Sequence, residues 1–196
     1  ASAYGLISYQ TAYLKANFPV EYMAALCTNE IGRSTMASKD EESKLVGYLN
    51  DCKDMGIEVL PPDVQKSESV FSVESPVGAS MPQLRFGLMA IKNAGYGAIE
   101  SLVKAREKGP FESLVDLCSR IDTRLFNKRV VESLIKAGAM DCFVLGLPVK
   151  QARPRLIEQV DGALSSSTKV KEDHDFAKFS LFGEDEIKSL TKSAPV

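Results

Sequence analysis

Between residues 88 and 138 the chain is cut into short helix-forming runs by glycine and proline, and neither a long strand nor a long helix can cross that punctuation. A short apolar run, Ala90-Ile91-Lys92-Asn93-Ala94, ends in Gly95-Tyr96-Gly97, and an amphipathic stretch through Arg106 begins at once. Gly109-Pro110-Phe111 stops it, because proline can neither donate nor continue a helix. Ser113 with Asp116 three residues later is a capping pattern that starts another helix. The turn Asp122-Thr123-Arg124-Leu125-Phe126-Asn127-Lys128-Arg129 then leads into Val130 to Gly138. The same helix–turn–helix plan therefore occurs twice.

Glycines at 95 and 97 permit positive φ and leave the backbone bare of Cβ atoms. Amide groups at the start of the next helix can then face a phosphate oxygen, aided by the helix dipole. Lys92, Asn93 and Tyr96 lie in that turn and Lys104 and Arg106 close by, while Arg124, Lys128 and Arg129 replace the glycines at the second turn. Such a device grips backbone phosphates without reading bases, so binding should be non-specific and weaken with salt. A tight helical connector capped by glycine is the competing reading. Two units joined by a Gly-Pro-Phe linker resemble a tandem helix-hairpin-helix domain.

The rest of the chain fits a fold that is mainly α with one small β-hairpin. Residues 3–16 are apolar or aromatic over most of a helical wheel, which predicts a largely buried helix. Pro19 suits the first turn of the next helix, through Ile31. A third helix is expected from about Lys39 to Met55, with Leu45, Val46, Leu49 and Cys52 on one face and Gly56 as its cap. Residues 57–64 read as a short extended stretch halted by Pro61-Pro62. Residues 70–74 and 84–88 alternate apolar and polar residues around a turn rich in Ser, Pro and Gly, which predicts the hairpin. A last helix is expected around Arg155 to Leu164, then a flexible serine-rich and charged stretch through Asp175.

Charge is uneven along the 196 residues, although the net value is only −2. Residues 84–136 hold ten Lys or Arg against six Asp or Glu, while residues 1–60 hold five against eight. The four cysteines are scattered, with no CxxC pair, which suits buried thiols in a reducing cytoplasm. No apolar run reaches transmembrane length, so no membrane partner is expected. The first residue is Ala, which suggests a piece of a longer protein. No P-loop, dinucleotide fingerprint or Ser/His/Asp set can be assembled, and the acids cluster as 40–42, 172–175 and 184–186, the pattern of solvated helix starts and tail. His174 sits among acids in one of these stretches, and a solvated loop accounts for it.

The order of AYGLISYQTAYLKANFPV at 3–20, GIEVLPPDV at 56–64, RFGLMAIKNAGYGAIESLVKAR at 85–106 and NKRVVESLIKAGAMD at 127–141 resembles the α subunit of bacterial DNA polymerase III, a C-family replicative polymerase. The resemblance implies three parts. Residues 1–60 would end the polymerase fingers, 61–143 would form the tandem helix-hairpin-helix domain with its hairpin, and 144–196 would be a helix plus tail. It implies duplex DNA, the sliding clamp and other replisome subunits as partners. It also implies Mg²⁺ for the full-length nucleotidyltransferase, with no metal site here, because the metal-binding acids of the family lie in the palm, upstream. The segment alone should be inactive. In the tail, Lys178-Phe179-Ser180-Leu181-Phe182 is similar to the family's clamp-binding peptide, with Lys178 where Gln is usual. As part of the fingers, Tyr4, Tyr9, Gln10, Tyr13 and Lys15 could face the incoming nucleotide, although tyrosines on an apolar helix equally suit packing. A stand-alone helix-hairpin-helix protein of repair or DNA uptake, and a protein-interaction scaffold, are the alternatives.

Overall fold

The computed structural model describes residues 2–32, 44–76, 81–122, 124–144 and 148–179, with Gly78 and Gly146, and side chains as far as Ser166. Helices α1 (Ser2–Asn17) and α2 (Pro19–Asn29) meet at Phe18, and Pro19 opens α2 as expected, where its missing N–H costs nothing. In α2 the apolar residues recur at helical spacing, so Val20, Met23 and Cys27 share one buried face. That face packs on Cys52 of α3 (Lys44–Asp54) and on Ile57, Phe71 and Leu84 to form a first core. Gly56, at φ +73°, ends α3 as the sequence predicts.

The hairpin forms between β2 (Ser72–Glu74) and β3 (Gln83–Arg85), antiparallel with Val73 opposite Leu84. It is joined by a strand that periodicity did not reveal. Val59–Leu60 (β1) pairs parallel to β3, in the order β1-β3-β2, so the extended stretch before the double proline is the sheet's third member. Arg85 is buried across this sheet, donating to both carboxylate oxygens of Glu74 at 2.7 and 2.8 Å and to the Pro61 carbonyl at 3.0 Å. Those hydrogen bonds hold Glu74 below the usual carboxylate range. Phe71 and Phe86 pack edge to face, 4.9 Å between centroids.

A second core takes in Leu88, one turn further on. Leu88, in a 3₁₀ turn at Leu88–Ala90, joins Ile99 and Leu102 of α4 (Tyr96–Arg106), Leu117 of α5 (Leu114–Arg120), and Val131 and Leu134 of α6 (Lys128–Ala137). Helix α7 (Val149–Phe179) closes it with Leu156 and Val160. Ser113 caps α5 by accepting from the Asp116 amide at 3.1 Å, the predicted pattern, and Asn127 caps α6 through the Val130 amide. Val64 donates to the Ala139 carbonyl at 2.8 Å, pinning the loop after β1 to this core.

Other expectations fare differently. Helix α1 forms, but none of its residues is buried, and Tyr4 is 80% exposed. Apolar composition predicts a need for cover, and among the described elements α2 is the chief neighbour of α1. Val46 is exposed although Leu45, Leu49 and Cys52 turn inward. Helix α7 runs through the serine-rich stretch read as flexible, since serine and threonine weaken a helix without ending it. The expected boundary at 60/61 falls inside the small sheet, and the first core draws on both sides of it.

Cys27 and Cys52 are both inaccessible, and burial, with Cys52 alongside, pushes the Cys27 thiol up to about 12. The folded protein therefore keeps this proton where an unfolded cysteine, near pKa 8.5, gives it up. The resulting stability is whole below about pH 8.5 and is lost as pH rises towards 12. Urea midpoints should fall as pH rises above about 8.5, with a smaller fall in Cys27→Ala.

Candidate nucleic-acid interface

The first turn runs from Ile91 to Gly95. Its left-handed residue is Asn93, at φ +67°, and not either glycine. Gly95 is extended (φ −69°, ψ 153°) and Gly97 lies inside α4. The glycines therefore serve by what they lack. Gly95 caps α4 without a side chain, and a Cβ added there would meet nothing within 4 Å. The start of α4, with its outward amides and positive dipole end, is open to solvent.

The second hairpin, described at residues 121, 122 and 124–128, leans on this point. A Cβ on Gly97 would touch the Leu125 side chain at 3.5 Å, so Leu125 and the exposed Arg124 border the start of α4. From the other side Asn93 Nδ2 donates to Ser133 Oγ at 3.0 Å, and Ser133 donates to the Arg129 carbonyl at 2.8 Å. Arg129 stands one turn before Ser133 on the same face of α6. The structure thus gathers Lys92, Asn93, Gly95, Tyr96, Gly97, Arg124 and Arg129 around one helix start, all exposed except the half-buried Gly97. Sequence reasoning missed Leu125 and Ser133. An apolar residue at the tip of a charged turn, and a hydroxyl four residues after Arg129, were the available signals.

Three predicted contacts are placed otherwise. Arg106 is a correction. It lies at the far end of α4, where its guanidinium donates to the carbonyls of Val64 (3.3 Å) and Ser67 (2.8 Å) and to Glu68 (2.8 Å). Its side chain is 15% exposed, and these bonds staple the loop after β1 to α4. Arg106→Ala should lower stability by about 2 kcal/mol, because the carbonyls of the buried residues Val64 and Ser67 lose a charged donor. Thermal melting checks this, and DNA affinity measured below the melting range should change less than twofold. Lys104 points outward but pairs with Glu100 at 3.2 Å. Lys128 pairs with Asp161 of α7 at 2.7 Å, and that bond raises its pKa.

Tyr4, Tyr9, Gln10, Tyr13 and Lys15 all lie exposed on α1, with the Tyr9 and Tyr13 rings 6.4 Å apart. Lys178 and Phe179 close α7, whereas Ser180, Leu181 and Phe182 lie outside the described residues. Among the described residues no three His, Cys, Asp or Glu side chains gather as a metal site, and no helix is long and apolar enough to cross a membrane.

Residues 56–152 match the family described as the helix-hairpin-helix motif. Along its whole length the chain is 39% identical to the DNA polymerase III subunit alpha of Thermus aquaticus, covering 14% of that protein. It is 42% identical to the subunit alpha of Mycobacterium tuberculosis over 93% of the chain and 14% of the relative. With that of Deinococcus radiodurans it shares 38% over 96% of the chain and 13% of the relative.

Proposed function

Because the chain belongs to the DNA polymerase III alpha family, as a segment spanning about 14% of the curated relatives it matches, we propose that it holds duplex DNA by its backbone phosphates and tethers the polymerase to the sliding clamp. The observation that carries the DNA-holding half is the open start of α4, capped by a bare Gly95 and flanked by Lys92, Arg124 and Arg129. Anions are stabilised at such a helix end, and flanking cations add a salt-sensitive attraction. The mechanism is positional. The hairpins grip DNA, and a clamp-binding tail raises the local concentration of enzyme on its template without new chemistry. Nucleotidyl transfer, with its acids and Mg²⁺, is assigned to parts of the polymerase outside this segment. Helix α1 would belong to the fingers, facing the nucleotide with its tyrosines, in a cytoplasmic replisome.

Fluorescence anisotropy on the 196-residue chain tests the grip. Binding should be alike for unrelated duplexes, with log K falling linearly in log salt at a slope of about −0.9 per phosphate contact. A salt-independent affinity would end this reading. The tether is tested separately on purified clamp. Leu181→Ala/Phe182→Ala should weaken binding at least about tenfold, as removal of paired apolar anchors does. Equal binding by wild type and variant would remove the tail from the mechanism.

A further inference from the structure

Lys128 is the first residue of α6, between the capping Asn127 and the exposed Arg129. It therefore belongs to the turn that carries Arg124 and Arg129, two of the cations assigned above to the DNA backbone. Its ammonium group is engaged elsewhere. Nζ donates to Asp161 Oδ2 at 2.7 Å, across to α7. The two side chains are 52% and 71% exposed, and an ion pair so open to water is weak and screened by salt. Glu132, one turn along α6, also acts on Lys128 but already accepts from Lys136 at 3.1 Å. Asp161 is not what seats α7. Leu156, Val160 and Ala163 of that helix are buried in the second core, and Arg153 grips Asp141 at 2.6 Å. An exposed carboxylate on a surface that receives anions, its helix seated by other contacts, calls for a role at that surface.

We infer that Asp161 is an internal stand-in for phosphate, holding Lys128 in the free protein and yielding it to the DNA backbone on binding; the inference rests on the phosphate-gripping reading above. The exchange is one of like for like. Lys128 trades one oxyanion for another, and the movement is confined to its flexible stem. A backbone phosphate wins because Arg124 and Arg129 attract it as well, whereas Lys128 is the one cation paired with Asp161 among the described residues. Because that pair has to be broken first, the hold is weaker than the hairpin cations alone would give. A weaker hold suits the non-specific contacts by which a protein slides along DNA.

Anisotropy on the 196-residue chain with a blunt duplex reads the exchange. Asp161→Asn keeps the shape of the side chain and removes its charge. It should raise affinity about fivefold at low salt, and the gain should shrink as added salt screens the pair. Melting should not move, since the side chain is exposed. Glu158→Gln removes the same charge from an exposed position one turn earlier on α7, and should change affinity less than about twofold. In a Lys128→Ala background Asp161→Asn should gain less than about 1.5-fold, because there is no lysine to release. Unchanged affinity in Asp161→Asn, with normal duplex binding by the wild type, overturns the exchange and leaves the grip standing. A gain of equal size in Glu158→Gln or in the Lys128→Ala background also overturns it, since the acid then acts by general repulsion. Failure of the wild type to bind duplex overturns the exchange together with the grip.

Discussion

Replacing Gly87 with alanine is expected to cost at least about 3 kcal/mol, because the added Cβ would lie inside the backbone of Val70 and Phe71. Both partners are main chain and cannot turn aside. They are held by Leu88 donating to the Glu68 carbonyl at 3.0 Å and Met89 donating to Ser69 at 2.9 Å. The penalty therefore falls on the close approach of two chain segments beside the Phe71–Phe86 contact. Urea denaturation followed by circular dichroism reads the effect. Gly95→Ala is the matched control, since its Cβ meets nothing within 4 Å. It should alter stability by less than about 1 kcal/mol, yet weaken DNA binding by obstructing the phosphate's approach. A stable Gly87→Ala protein with an unshifted midpoint would refute the close approach itself.

The second large effect is on binding. Lys92→Glu/Arg129→Glu should reduce duplex affinity at least about a hundredfold at low salt and flatten the log K against log salt slope by about 2. Both side chains are exposed, and neither forms an ion pair among the described residues, so melting should be unaffected. The loss should be equal on unrelated sequences, because phosphates position a protein and do not specify a site. Lys104→Glu and Lys128→Glu should each do less, since Glu100 and Asp161 already occupy them. A loss that varies strongly with base sequence would mean that the hairpins read base edges.

Local chemistry was legible in the sequence wherever a residue acts on its near neighbours. Pro19 at a helix start, Gly56 past a helix end and Ser113 reaching the Asp116 amide each work within four residues, and each appears where expected. The hairpin was legible for the same reason, its strands being adjacent along the chain. What eluded the pattern depends on distant partners. Strand β1 is two residues long and is defined only by Leu84 and Arg85 beside it. An apolar wheel foretold helix α1 but not its exposure, which depends on what packs against it. Arg106 illustrates the same limit at the site. A cation near a phosphate-binding turn suggests an anion partner, yet its position on the helix aims it at the carbonyls of residues 64 and 67. At the turn itself positive φ was expected of Gly95 and Gly97, but neither adopts it and Asn93 does, as asparagine tolerates that conformation better than most side chains.

The division of the chain between two cores also orders its assembly during synthesis. Each residue of the first core, from Val20 to Leu84, and its half-buried packing partners as far as Ala90, is translated before α4. That core can close while the remainder is still within the ribosome, and the parallel pairing of β1 with β3 waits only for Arg85. The second core has no such freedom. Its members run from Val64 to Ala163, and the Val64–Ala139 bond joins its earliest residue to one near its end. Leu84 and Leu88 belong to different cores yet stand four residues apart, so the finished first unit presents its neighbour with a starting edge already in place. Growth of the hairpins from that edge spares them the slow search that two independent domains would make for one another.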